Sequence, residues 1–336
     1  MIRHTAGHIH DTWIVEGAGG GLVLQRVNHR VFPDCEHMMS NVLRVTAHLR
    51  EREPAPPRRV LRVVRADGGD ALVSDGEGHR WRAFARVPAA TAHERIETAA
   101  AACEVGRALG RFVDAVQGLP GPTLIEPIPN FKDFGLRCDT FELTVEVDPF
   151  GRAPSCRAEI DAIRRHERLV TELQAAMASG QLPRRLVHND AKAANVLLDD
   201  RSGEGLCVID LDTVAPGVVL FDVGDLLRSA TVTLAEDAAA GADLAVRDDL
   251  LEAALTGYLR EAGPVLSSGE RALIPLAGPL MAYENAMRFL TDHLAGDVYY
   301  RVERPRHNLE RARAQLRVVE ALGRARGRVA ELVQRA

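Results

Sequence analysis

Lysine is almost missing from this chain. Of 42 basic Lys and Arg residues, Lys132 and Lys192 are the only lysines. A composition bias towards arginine and alanine accounts for this, with a useful consequence. Chemistry that needs a lysine has two candidates, and residues 1–131 offer none. Cysteine is also sparse. Cys35, Cys103, Cys138, Cys156 and Cys207 are scattered, odd in number and never form a C-x-x-C pair. That argues against a disulfide framework and a cysteine zinc site, and fits a reducing, cytoplasmic setting. No apolar run approaches the roughly 20 residues needed to cross a bilayer, so no membrane partner is expected. The start, MIRHTAGHIHD, lacks the apolar core of a secretory signal. The net charge of −5 argues against a nucleic-acid partner.

What is present reads as a globular protein of about two lobes, from 336 residues that are 46% hydrophobic and 26% charged. The first part is β-prone. Thr12–Val15 and Gly21–Val27 flank a glycine-rich turn, and Val60–Val64 and Arg80–Val87 follow as an antiparallel meander with turns at Asp67–Asp70 and Asp75–Gly78. Between them, Asp34 is placed to cap a helix over Glu36–Arg50, with Met38, Val42, Val45 and Leu49 at helical spacing. Beyond a junction near Val87–Thr91 the pattern turns helical. Helices are expected over Ile96–Val116, Ala158–Ala178, 220–262, 270–295 and Leu309–Val333. The exception is a strand-rich patch at 183–213. The stretch Glu236–Asp249 reads as an exposed helix or loop. Arginines of the last helix, such as Arg311, Arg313 and Arg328, read as a solvated face balanced by Glu310, Glu320 and Glu331.

The chemistry sits in the strand-rich patch. Residues 186–198 read LVHNDAKAANVLL, and Leu206–Asp212 is an apolar strand ending in D-x-D. An H-x-D-x-x-x-x-N loop followed by a strand and an aspartate is a kinase layout. Phosphoryl transfer is mostly positioning and charge neutralisation. It needs a carboxylate near the attacking hydroxyl, for which Asp190 stands. It needs oxygen ligands for Mg2+, a hard ion, and Asn195 and Asp210 supply them from neighbouring strand ends. Asp212 either joins that metal shell or bonds its own loop backbone. Lys192, two residues after the carboxylate, is placed to meet the γ-phosphate. His188 reads as an organiser of the loop.

On these residues the chain resembles the aminoglycoside phosphotransferase and choline kinase superfamily, and within it the N-acetylhexosamine 1-kinases. Further matching segments are Val208–Val214 with Pro216-Gly217, Phe221–Arg228, Arg288–Asp292, Gly296-Asp297, His307–Gln315, Gly7–Thr12 and Leu24–Phe32. The resemblance covers nearly the whole chain. It implies an α+β, bilobal protein-kinase-like fold with a small β-rich N-lobe (1–87) and a large α-rich C-lobe (88–336). It also implies ATP, Mg2+ and transfer to the anomeric hydroxyl of a sugar.

Departures from the pattern are informative. A kinase carries a lysine on its third N-lobe strand, which this chain cannot. Gln25 holds the matching place with Arg26 beside it, and strand alternation puts them on opposite faces. Either could serve the phosphates. The nucleotide loop has Gly7, His8 and His10 but no G-x-G-x-x-G, and the family usually has a further helix and strand before it. Val87 at the junction completes the expected nucleotide contacts. On the acceptor side stand Asn189, Arg228, Arg288 and Asp292. The last two lie one turn apart and fit either a structural ion pair or a substrate contact. Asp222 and Asp225 are expected to cap their helix and tie down the loop. Two rivals remain: a kinase for another alcohol, such as an aminoglycoside or amino alcohol, and a nucleotide-binding pseudokinase that acts as a partner protein.

Overall fold

The computed structural model describes residues 2–4, 9–17, 20–52, 58–233 and 243–336. Gly7 and His8 lie outside the described residues, as does the first half of Glu236–Asp249, whose end enters a helix at Asp248.

The chain opens with strands β1 (Ile2–His4), β2 (Asp11–Val15) and β3 (Leu22–Arg26), then helix α1 (Cys35–Arg52). Strands β4 (Val63–Val64), β5 (Val73–Ser74) and β6 (Arg80–Ala85) complete an antiparallel sheet of order β1-β2-β3-β6-β4. Both β4 and β5 pair with β6, one after the other along it. The expected meander is thus a broken edge rather than full-length strands. Asp34 caps α1 as expected, accepting from the His37 N–H at 2.9 Å. Met38, Val42, Val45 and Leu49 are all buried.

After the junction, β7 (Ala90–Ala92) pairs with β9 (Val196–Asp199), which pairs with β10 (Gly205–Val208). A second two-stranded sheet joins β8 (Arg185–Val187) to β11 (Ala215–Gly217). The rest is helical: α2 (Ala99–Ala115), α3 (Phe134–Val147), α4 (Arg157–His166), α5 (Arg168–Ala178), α6 (Val219–Ala230), α7 (Asp248–Ala262), α8 (Ser268–Leu294) and α9 (His307–Arg335). The fold is α+β, with a small antiparallel sheet region and a helical remainder.

Two helical expectations need correction, and one helix, α3, was not expected. The helix expected over Ala158–Ala178 is interrupted at Glu167, whose N–H bonds Arg164 O in a tighter turn. The 220–262 pattern divides into α6 and α7. The β-branched run Thr231-Val-Thr233 ends α6 and enters an isolated antiparallel bridge, Val232 to Val246. Helix α3 has no amphipathic signal to find, because it buries Phe134 and Phe141 while Leu136, Leu143 and Val147 face solvent. The last helix is also less solvated than its charges imply. Arg311 is buried against the Phe289 ring, and Arg313, Arg326 and Arg328 pair with Glu159, Glu172 and Glu252 on other helices.

The C-lobe core depends on close backbone approach between α2 and α7. A Cβ at Gly106 would stand 2.1 Å from Ala254 O, and one at Gly257 2.1 Å from Cys103 O. Gly257→Ala must push the helices apart. It should lower stability by about 1–3 kcal/mol, read as a lower denaturant midpoint at constant slope. An unchanged midpoint would mean that the helices do not meet this closely.

Candidate active site

Strand β8 delivers the chain into the H-x-D loop, and α6 fixes it there. The buried Asp222 carboxylate accepts the backbone N–H groups of His188 and Asn189, both at 2.8 Å. Burial pushes the Asp222 carboxyl up to about 6, although these donors and His188 oppose it. The buried ring of His188 donates from Nε2 to Ile209 O at 2.9 Å, tying the loop to the end of β10. Asn189 turns the chain at φ 64°, a left-handed conformation that asparagine tolerates better than most residues. Its Nδ2 donates to Thr213 O and Ala215 O. The Nδ2 of Asn189 is therefore occupied under the loop, while its Oδ1 has no hydrogen-bond partner among the described residues and the residue lines the cleft described below. Asp222 ties down the loop as expected, but it caps nothing. Val218 is the N-cap of α6 and offers no side-chain bond.

These anchors present a compact group. Asn195 Nδ2 donates to Asp190 O at 2.8 Å and to Asp190 Oδ2 at 3.1 Å, which leaves its Oδ1 for a cation. Lys192 Nζ lies 3.2 Å from Asp190 Oδ2. Partial burial raises the Asp190 carboxyl, but Lys192 and other cations, Arg228 and Lys132 among them, outweigh it and hold the group below its ordinary value. Asn195 O accepts from the Ile209 N–H at 2.9 Å, which sets Asp210 beside the loop. Asp210 also has a positive φ of 61°, a costly conformation found often at functional sites. The surrounding cleft, then the charges of Asp212 and Asp190, raise its carboxyl. Lys192 and His10 oppose the rise without cancelling it. Together with the Asn195 oxygen this carboxylate forms a donor set suited to Mg2+.

Asp212 is engaged elsewhere. Its two oxygens take a bidentate pair from Arg82 of β6, at 2.5 and 2.7 Å, and His10 Nε2 meets Oδ2 at 2.7 Å. His10 Nδ1 accepts from the Asn28 N–H, so Nε2 carries the hydrogen shared with Asp212. Burial would raise the Asp212 carboxyl, but Arg82 and His10 hold it far below the usual carboxylate range. In β3 the two phosphate candidates do face opposite ways. Arg26 pairs with Asp11 on one face, while Gln25 turns inward and accepts from Arg82 Nε at 3.0 Å. Val87 lies half-buried between β6 and β7.

On the acceptor side a cluster unforeseen in the sequence surrounds Glu284 of α8. Lys132 Nζ, Arg137 Nε and Arg288 NH1 approach its carboxylate at 3.1, 3.4 and 3.5 Å. Glu284 is fully buried. Burial raises it, yet the three cations, Lys132 first, hold it well below its ordinary value. Lys132 was marked by its rarity, whereas nothing in the local sequence marked Glu284 or Arg137. Arg288 pairs with Glu284, not with Asp292, and its guanidinium lies over the rings of Phe131, Tyr299 and Tyr300. Asp292 is away from the cleft. Its carboxylate accepts from the N–H groups of Val298, Tyr299 and Tyr300 and from Asn308 Nδ2, so it positions the two tyrosines. Arg228 is half-buried and pairs with Asp225 at 2.6 Å. A cleft of about 310 Å³ takes in Phe131, Lys132, Asn189 and Phe221, a volume suited to a small molecule.

A loop of this kind, a carboxylate pair beside it and a cleft of small-molecule size define a phosphotransferase. The Phosphotransferase enzyme family matches residues 1–263, and the chain belongs to it. It is a small-molecule phosphotransferase acting on an alcohol group. Among solved structures it is similar to a microcompartment-associated aminopropanol kinase, at 16% identity and TM-score 0.58, covering 98% of this chain and 93% of the other. An aminoglycoside phosphotransferase from Alicyclobacillus acidocaldarius matches at 14% identity and TM-score 0.57, covering 100% and 93%. A choline/ethanolamine kinase family protein from Mesorhizobium loti matches at 16% identity and TM-score 0.55, covering 98% and 95%. These likenesses carry the kinase-like fold. Among the described residues, no helix is long and apolar enough to cross a membrane.

The Asp222 anchor yields a prediction. Between about pH 4 and 6 the folded protein keeps a proton that the unfolded chain has released. Stability from this group therefore falls as pH rises through that window. Asp222→Asn should abolish that slope. It should also cost about 1–3 kcal/mol at neutral pH, because one loop N–H then faces an amide donor. Denaturant titrations at pH 4 and pH 7 read both effects, and an unchanged slope would refute the assignment.

Proposed function

We propose that this chain is an ATP- and Mg2+-dependent kinase that phosphorylates the anomeric hydroxyl of an N-acetylhexosamine. The observation that carries the acceptor class is charge. Three cations share one carboxylate at Glu284, and two of them, Lys132 and Arg288, act electrostatically on Asp190. A surplus of positive charge repels a cationic amine acceptor and suits a neutral, hydroxyl-rich one. The rings of Tyr299 and Phe131 beside Arg288 offer an apolar platform for a sugar face. The choice of an N-acetylhexosamine and its 1-hydroxyl rests on the sequence resemblance.

The geometry supports the following roles. Asp190, kept ionised, accepts a hydrogen bond from the acceptor hydroxyl and orients its oxygen. With a carboxyl held low it is a weak base, so it takes the proton late, which suits a loose transition state. The new bond joins the acceptor oxygen to the γ-phosphorus. The bond to the β,γ-bridging oxygen breaks, and ADP leaves with that electron pair. Lys192 balances charge on the transferred group. Asn195 and Asp210 would hold Mg2+, which supplies charge neutralisation at the phosphates. Asp292 acts indirectly, by holding Tyr299 and Tyr300 against Arg288.

The test is Mg2+-dependent ATP consumption over neutral sugars, aminoglycosides, choline and aminopropanol, with phosphate position read by phosphorus NMR. Turnover is expected with an N-acetylhexosamine at its 1-hydroxyl. Asp190→Asn should lower kcat by about 10²–10⁴-fold. Turnover confined to the amines would overturn the sugar assignment and leave the phosphotransferase in place.

A further inference from the structure

We propose that Arg82 binds the inner phosphates of the nucleotide, in place of the lysine that β3 lacks, and that Asp212 holds its guanidinium until nucleotide arrives. The inference rests on the kinase reading above and names a contact that reading leaves vacant.

Position argues first. Gln25 occupies the β3 place expected of the lysine and is neutral. In the ladder it stands directly opposite Arg82 of β6, with Arg82 Nε bonded to Gln25 Oε1 at 3.0 Å. A cation on the neighbouring strand therefore reaches the same face of the sheet. Arg26 cannot supply it, since it is turned to the other face on Asp11. Among the described residues the buried arginines are Arg82 and Arg311, and Arg311 lies far along the chain on α9. The charge also stands at the right place. Its partner, Asp212, follows the Asp210 carboxylate by two residues, and α1 contributes only Met38 Sδ, at 3.9 Å, to the Arg82 contacts.

Chemistry argues next. Burying both members of an ion pair is costly, and well-packed apolar residues often do as well for stability. The Arg82 and Asp212 side chains are 1% and 2% exposed, so this pair is fully inside. A guanidinium fork fits phosphate oxygens bidentately as well as it fits a carboxylate. Arriving phosphate can thus take over the two N–H donors. Asp212 keeps the His10 donor when Arg82 leaves, so neither side of the exchange strands a bare charge.

Calorimetric titration of the full chain with adenosine and with ADP, both in EDTA, isolates the phosphate contribution from metal. Wild type should bind ADP more tightly than adenosine. Arg82→Gln should weaken ADP by about tenfold to a hundredfold and leave adenosine unchanged. Arg82→Lys should recover part of the loss. Asp212→Asn, which removes the competitor, should bind ADP at least as tightly as wild type, and it stands as an independent arm if Arg82→Gln does not fold. Equal weakening of adenosine and ADP, unaltered ADP binding in Arg82→Gln, or weakened ADP binding in Asp212→Asn would each overturn the assignment and leave Arg82 as a lobe-to-lobe brace. Failure of wild type to bind ADP or ATP, with or without Mg2+, would overturn the kinase reading itself.

Discussion

Two backbone amides on one carboxylate hold the site together. Asp222 of α6 takes the N–H groups of His188 and Asn189, and Ser229 Oγ, two turns further along the same helix, takes the N–H of Ala193. The helix thus grips the loop on both sides of Asp190. A buried carboxylate is expensive unless its lone pairs are used, and here the two donors use them. The donors benefit in turn, because a buried amide without an acceptor is also costly. With the loop pinned, His188 can brace Ile209, Asn189 can hold its left-handed turn, and Asp190, Asn195 and Asp210 come together.

Around this anchor the charge is divided. Asp190 and Asp210 lie close enough to act on each other, yet their carboxyls move in opposite directions, Asp190 down and Asp210 up. Lys192 and the cations around Glu284 bear on the first. Asp212 and Asp190 itself bear on the second. One carboxylate is thus stabilised as an anion by protein cations, whereas burial and neighbouring carboxylates disfavour the charge on the other. This crowding also explains why Asp212 bonds so strongly to Arg82 and His10. A third uncompensated carboxylate in the same space would push all three up.

Much of this was legible before any coordinates. The loop residues are contiguous and their spacing is set by local backbone geometry, so the H-x-D-x-x-x-x-N pattern located Asp190, Lys192 and Asn195 together. Helix α1 was legible because a cap and an apolar stripe coincide. Helix α3 was not, since its apolar residues face both ways. The acceptor cluster was hidden for a different reason. Lys132, Arg137 and Glu284 are brought together by tertiary packing, and a charged residue on a helix looks alike in sequence whether it is solvated or buried. Arg288 and Asp292 show the same limit. Their one-turn spacing allowed a pair, but Glu284 one turn earlier won the arginine, and the loop at 298–300 won the aspartate.

Several contacts between the sheet region and the helical remainder are polar. Arg82 and His10 meet Asp212, Arg58 meets Asp199, Asn41 Nδ2 donates to Ile125 O, and Arg44 donates to Pro120 O and Pro122 O. These are charges and hydrogen bonds beside an apolar core that runs on from α1 into α2, α6, α7 and α8, where helix backbones also touch. Polar contacts can be exchanged. When such a bond breaks, water or a ligand oxygen replaces the lost partner, so the net cost is small. Apolar faces have no such substitute, and parting them costs the full area exposed. The same reasoning supports the role proposed for Arg82 in a chain almost free of lysine. A fork of fixed geometry can change from carboxylate to phosphate without losing a donor, which a single ammonium on a flexible stem does less well.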